Sequence, residues 1–260
     1  MSNEDTIPTL GRKIFFLHPS PQVQNAIVDE LVQREYEAYT TGDRVSLRRV
    51  LKNFPGSIIF IDIDQLILEK EWEAWIREVM KAEDLRDIRI GILTTNRNDI
   101  LQNKYANMLH LPCGYTMLHQ DLAVTLTQIL RILDANDAKG RRKYLRTTTE
   151  NEAQTVVNFP LVGRFVGGAL RDISTVGFSC FFKEDPDFAT NSAFSNVQIK
   201  LKHIILNVEA IILGSRVEKQ IKFYVALFTN RVSPDTQVKI RKYIQNNLQT
   251  QMDAIIGRGS

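Results

Sequence analysis

Asp134-Ala135-Asn136-Asp137-Ala138-Lys139-Gly140-Arg141-Arg142-Lys143-Tyr144-Leu145-Arg146 is the stretch on which the fold turns. Its first half is polar and ends in glycine, the mark of a finished helix and the start of a linker. A basic cluster follows at once. The hydrophobic pattern changes across it. Upstream, short apolar runs alternate with segments of helical period. Downstream, apolar residues recur almost only at period two. The chain therefore divides here into an α/β half and an all-β half.

Working back from the junction, Ser57-Ile58-Ile59-Phe60-Ile61-Asp62-Ile63-Asp64 is apolar on both faces, as a central parallel strand is. Lys13-Ile14-Phe15-Phe16-Leu17, ending at His18-Pro19, predicts another strand. Tyr36-Glu37-Ala38-Tyr39, Ile88-Arg89-Ile90-Gly91-Ile92-Leu93 and Gly114-Tyr115-Thr116-Met117-Leu118 supply the rest. Ser20-Pro21 gives an N-cap and a first-turn proline. Val23, Ile27 and Leu31 then lie on one helical face. A second helix carries Leu47, Val50 and Leu51 and stops before Pro55-Gly56. A third carries Trp72 and Trp75. The last two run from Asp99 to Leu109 and from Asp121 to Leu133. Strands alternating with helices in this way predict a doubly wound parallel sheet with helices on both faces.

This half, residues 10–135, resembles a response-regulator receiver domain. Asp62 stands where that family's phosphoacceptor aspartate ends the third strand. Thr94 or Thr95 stands where its hydroxyl residue ends the fourth. The resemblance then breaks. His18-Pro19 occupies the place of the acidic pair that holds Mg²⁺, and Leu118-His119-Gln120 the place of a lysine. Phosphoryl transfer to a carboxylate needs a divalent cation, and Asp62 with Asp64 is thin provision for one. The expectation is a degenerate receiver-like module for docking or dimerisation, with Asp62 a strand-end residue. The alternative is a phosphorylatable response regulator. The missing acidic pair predicts that acetyl phosphate or beryllofluoride leaves Asp62 unlabelled.

Forward from the junction, Gln154-Thr155-Val156-Val157-Asn158-Phe159, Arg164-Phe165-Val166-Gly167-Gly168-Ala169-Leu170 and Gly177-Phe178-Ser179-Cys180-Phe181-Phe182 predict strands. So do the alternations of Val197, Ile199 and Leu201, and of Ile221, Phe223, Val225 and Leu227. Gly214-Ser215-Arg216 predicts a connecting turn. Ser233 caps a final helix that Pro234 begins. Its Ile240, Ile244, Leu248, Met252 and Ile255 form one apolar stripe. These strands and the terminal helix predict a small antiparallel barrel, covered by the helix through that stripe.

Composition narrows the class. A net charge of +3 over 260 residues is mild, so any basic site must be local. No apolar run reaches the roughly 18 residues of a membrane span, and none is expected. Met1-Ser2-Asn3-Glu4-Asp5 is polar, unlike a signal peptide. Cys113 and Cys180 lie in different segments, as reduced core thiols of a cytoplasmic protein do. The four histidines are scattered without ligand spacing, so no metal site is expected.

The basic cluster has a chemical complement in Ala169-Leu170-Arg171-Asp172-Ile173-Ser174-Thr175-Val176-Gly177-Phe178. Arg142 and Arg146 make an R-x-x-x-R element. Guanidinium groups form forked bonds to phosphate oxygens and to the O6/N7 edge of guanine. Asp172 can accept from guanine N1–H and N2–H. Ser174 can bond a phosphate or a base edge. Gly177 lets the backbone turn sharply and a ligand approach. The set lacks a nucleophile–base pair and metal ligands, which predicts binding and no catalysis.

These elements carry a second resemblance. Lys139 to Ile256 is similar to a PilZ domain, the bacterial receptor for cyclic di-GMP. Arg142 and Arg146 match the arginines of its first motif; Asp172, Ser174 and Gly177 match the D-x-S-x-x-G of its second. The resemblance implies a six-stranded antiparallel barrel with a terminal α-helix over 148–258. Residues 136–147 would form an arginine switch that wraps the ligand. It further implies that Arg141, by stacking on a base, favours an intercalated pair of nucleotides, two per protomer. The expected protein is a cyclic di-GMP effector, not an enzyme, with no other cofactor. Ligand would change the orientation of the two domains and their contact with an unidentified protein partner. The alternative within this half is an interaction adaptor that binds no nucleotide. A nucleic-acid partner is not expected, since Tyr144 is the lone aromatic in the cluster. Oligomeric state and the process controlled are left open.

Overall fold

The protein's structure, a computed structural model, describes residues 11–149, 155–229 and 232–258. The expectations for Met1–Asp5, for residue 10 as a domain start and for Gln154 lie outside the described residues. Two compact units form. One comprises the chain up to Lys143 together with the residues from Gln249 on; the other is Tyr144–Leu248. No helix among the described residues is long and apolar enough to cross a membrane.

The first unit is a parallel sheet of β1 (Ile14–Leu17), β2 (Ala38–Thr41), β3 (Ile58–Asp62), β4 (Arg89–Thr94) and β5 (Tyr115–Met117), in the order β2-β1-β3-β4-β5. This is one of the common doubly wound orders. β1 and β3 are buried along their whole length, as their apolar runs require. The crossovers are helical. α1 (Pro21–Val23) passes through a π-helical turn, Gln24–Val28, into α2 (Asp29–Gln33). α3 (Arg44–Leu51) and α4 (Glu69–Lys81) follow. α5 (Asp99–Gln102) continues as a π-helical turn, Asn103–Met108, and α6 (Leu122–Ala135) is last. Ser20, Asp43, Asn98 and Asp121 cap these helices by accepting backbone N–H bonds.

The second strand starts two residues later than expected. Glu35, at φ 66°, closes α2. Tyr36 N–H then bonds the Leu31 carbonyl at 2.9 Å, and the Tyr36 hydroxyl donates to Asp134 at 3.0 Å. Tyr36 thus still belongs to the helix end. In the same unit, the Gln249 side chain engages both backbone groups of Thr40 on the edge strand β2. Its Oε1 accepts from the N–H at 3.0 Å and its Nε2 donates to the C=O at 2.9 Å.

The second unit contains β6 (Arg146–Thr148), β7 (Thr155–Leu161), β8 (Arg164–Ser174), β9 (Gly177–Phe181), β10 (Ala193–Leu201), β11 (Ile204–Glu218) and β12 (Ile221–Phe228). β8-β7-β10-β11-β12-β9 run side by side and β9 returns to β8, closing a six-stranded antiparallel barrel. β6 pairs with β8 along the edge that β7 leaves. Inside, Phe159 contacts Phe178, Phe182, Phe188 and Phe194. α7 (Pro234–Arg258) contributes Ile240, Tyr243 and Ile244 to this core.

Two expectations for this half need correction. Gly214 is not in a connecting turn. It lies inside the fifteen-residue β11, where the register with β12 shifts between Ile212 and Gly214. The hairpin turn is Lys219-Gln220, whose φ values of 46° and 67° suit a two-residue hairpin. Neither residue type announces that conformation. The helix stripe also differs. Ile255 is 40% exposed and its neighbour Ile256 only 5%. Met252 and Ile256 group with the first unit.

Candidate functional site

A β-bulge sets the geometry of Asp172. Leu170 lies in the barrel core, and strict alternation would send Asp172 to the same face. The pairing with β9 instead shifts between Leu170 and Asp172: Leu170 opposes Cys180, and Asp172 opposes Ser179. Arg171 is the extra residue. Ile173, opposite Phe178, then enters the core, and Asp172 and Ser174 turn to the other side. Thr149 holds the bulge. Its N–H donates to the Arg171 carbonyl at 2.8 Å and its hydroxyl to the Leu170 carbonyl at 2.6 Å.

Each oxygen of the Asp172 carboxylate has its own cationic or hydroxyl partner. Arg146 Nη1 lies 3.4 Å from Oδ1, an ion pair in which the arginine side chain is 46% exposed. The Ser179 hydroxyl donates to Oδ2 at 2.6 Å, with both residues buried. Arg146 reaches this position because β6 places it opposite Ser174. Buried Asn247 on α7 fixes β6 in turn. Its Nδ2 donates to Thr147 Oγ1 at 2.9 Å and to the Thr148 carbonyl at 3.0 Å.

Ser174 and Gly177 shape the turn between β8 and β9. The Ser174 hydroxyl donates to the Gly177 carbonyl at 3.0 Å and accepts from Val176 N–H at 3.4 Å. A Cβ on Gly177 would sit 2.3 Å from the Ala226 carbonyl oxygen of β12. The glycine is therefore needed for strand-to-strand approach. Arg141 and Arg142 are exposed on the irregular segment between α6 and β6 and group with the first unit. The second unit thus brings together Arg146, Asp172, Ser174 and Gly177. Sequence reasoning missed Thr149, Ser179 and Asn247. Each acts through a strand register or a helix contact that no local pattern encodes.

The chemistry available here is recognition. A half-exposed guanidinium faces a buried carboxylate beside a tight turn. Cys180, nearby in the core, has its thiol pKa raised by burial and by the Asp172 charge. Burial likewise pushes Cys113 up to about 12. Neither thiol is primed as a nucleophile. Among the described residues, no group of three or more His, Cys, Asp or Glu side chains is placed to hold a metal ion.

In the first unit, Asp62 and Asp64 border a cleft of about 710 Å³ at the C-terminal ends of the strands, with Ser20, Thr95, Arg97 and His119. Asp62 is 1% exposed. It accepts from the backbone N–H groups of Ser20 and Asp64, each at 3.2 Å. Burial, with a smaller push from the Asp64 charge, raises its pKa to about 6. Asp64 accepts from both Thr94 and Thr95 hydroxyls and, at 2.6 Å, from Thr95 N–H. Both carboxylates thus accept internal donors while lining the cleft.

No protein-family model matches the chain, and neither does any curated protein. Similar solved structures exist for part of it. The PilZ domain with c-di-GMP of YcgR from Escherichia coli is 13% identical, with a TM-score of 0.38, over 44% of this chain and 96% of that one. The MrkH–c-di-GMP complex of K. pneumonia is 15% identical, TM-score 0.38, over 45% and 58%. The Bacillus subtilis inhibitor of motility (MotI/DgrA) is 14% identical, TM-score 0.36, over 43% and 52%. The chain spans little more than half the length of the last two proteins.

Proposed function

We propose that the protein is a bacterial, cytoplasmic cyclic di-GMP effector of the PilZ type, with Arg141, Arg142, Arg146, Asp172, Ser174 and Gly177 as its nucleotide site. The observation that carries the reading is the Arg146–Asp172 pair on a closed six-stranded barrel. It sets an anion donor beside an acceptor that matches the N1–H/N2–H edge of guanine. Both residues stand in the R-x-x-x-R and D-x-S-x-x-G elements.

In the free protein, Arg146 and Asp172 neutralise each other. Nucleotide replaces that pair: phosphate or the guanine O6/N7 edge takes Arg146 and Arg142, and guanine N–H groups take Asp172. Arg141 stacks on a base of a second, intercalated nucleotide. Engaging Arg141, Arg142 and Arg146 together orders the segment between the two units, changes their relative orientation and alters contact with a protein partner. The protein performs no catalysis and binds no nucleic acid in this reading.

Calorimetric titration with cyclic di-GMP tests it. The wild type should bind with two nucleotides per protomer. Arg142→Ala and Arg146→Ala should each abolish binding while circular dichroism stays unchanged. A flat wild-type titration overturns the reading in favour of an adaptor without ligand. Binding with a stoichiometry of one overturns only the role of Arg141.

A further inference from the structure

We propose that Ser179 is a positioning residue that sets guanine specificity at this site, by fixing the Asp172 carboxylate in the plane that meets both N1–H and N2–H. The inference rests on the nucleotide reading above. A carboxylate can serve two parallel donors only if its torsion is held; a rotated one meets a single donor. Arg146 cannot hold it, because the arginine is half-exposed, lies 3.4 Å away and is the group that the ligand would draw off. Ser179 can. Its hydroxyl is buried, lies 2.6 Å from Oδ2, and stands directly across from Asp172 in the β8–β9 register.

The two partners of Asp172 therefore differ in kind: one is exchangeable and one is built into the barrel wall. When Arg146 leaves, the Ser179 bond keeps one oxygen satisfied and preserves the carboxylate's orientation. A short hydrogen bond to a charged acceptor is among the stronger side-chain contacts, and leaving the acceptor short of a donor is costly. The bulge at Arg171 makes the arrangement possible, since it brings Asp172 opposite Ser179 and not opposite a core residue.

The test compares cyclic di-GMP with its inosine analogue, cyclic di-IMP, which keeps the phosphates, the O6/N7 edge and N1–H but lacks the N2 amino group. Wild-type protein should prefer cyclic di-GMP. Ser179→Ala should weaken cyclic di-GMP about tenfold and cyclic di-IMP much less, so that the preference narrows. A wild type that binds, with an unchanged preference in Ser179→Ala, overturns this inference alone. So does an equal loss for both nucleotides, which would mark a merely structural serine. A wild type that does not bind cyclic di-GMP overturns the nucleotide reading and this inference with it.

Discussion

Asp172 is the residue at which the fold and the proposed chemistry meet. Its neighbour across the barrel wall, Ser179, is built in; its neighbour across the opening, Arg146, is half-exposed. Ser174 and Gly177 also shape the wall of the proposed site. Ser174 closes the β8–β9 turn through the Gly177 carbonyl, and Gly177 permits β9 to approach β12. The consequence is measurable. In Gly177→Ala the new methyl group would meet a backbone oxygen at 2.3 Å, which no rotamer change can relieve. Strands must move apart instead, at a cost of about 1–3 kcal/mol, the range for overpacking. Urea denaturation should show that loss in the barrel. Wild-type stability would mean that β9 and β12 do not pack this closely.

At the scale of elements, β6 is the piece on which the site depends and the shortest strand of the second unit. Among the described residues, its Arg146–Thr148 pair with the end of β8. Its further anchor is Asn247 of α7, whose amide reaches both Thr147 and Thr148. Asn247→Leu should therefore cost about 1–3 kcal/mol, because buried groups lose their donors. It should also weaken cyclic di-GMP binding although Asn247 is not among the proposed ligand contacts. Equal affinity in a destabilised Asn247→Leu protein would separate the helix from the site.

The same elements show what the sequence could and could not disclose. Runs such as Ile58–Ile61 and the Ser20 cap are local signals, and the parallel sheet followed from them, as the barrel followed from the period-two runs of the second half. The proposed site residues were visible as candidates because arginine, aspartate and glycine each carry a specific chemistry. The bulge at Arg171, the Ser179 contact and the Asn247 anchor were not. A bulge depends on the partner strand: the adjacent polar residues Arg171-Asp172 interrupt the alternation, but only the register with β9 shows that Arg171 is the extra residue. Lys219-Gln220 hides a hairpin because two residues of no turn preference take positive φ there. Gly214 misled for the converse reason, being a glycine that marks a bulge.

For the whole molecule, the two units should respond to different variables. Asp62 belongs to the first and titrates with its folded pKa raised to about 6 from the ordinary 3.8. As pH rises from about 4, the unfolded chain gives up this proton before the folded one does, so unfolding gains and stability falls. The loss is complete once pH passes the folded value near 6, and above it this group adds no further slope. Thermal denaturation between pH 4.5 and 7.5 should show the first unit's midpoint falling up to about pH 6 and level above it. Asp62→Asn, which carries no titrating proton, should flatten the dependence. Cyclic di-GMP should act on the other transition. A ligand at about 100 times its Kd adds about 2.7 kcal/mol to the state that binds it, so the barrel's midpoint should rise. The protection of residues 136–147 against amide exchange should rise with it. Arg146→Ala should cancel the nucleotide response and leave the pH response of Asp62 in place. If a single mutation removed both, the two units would not be separable in their energetics, and the segment carrying Arg141 and Arg142 could not work as a switch between them.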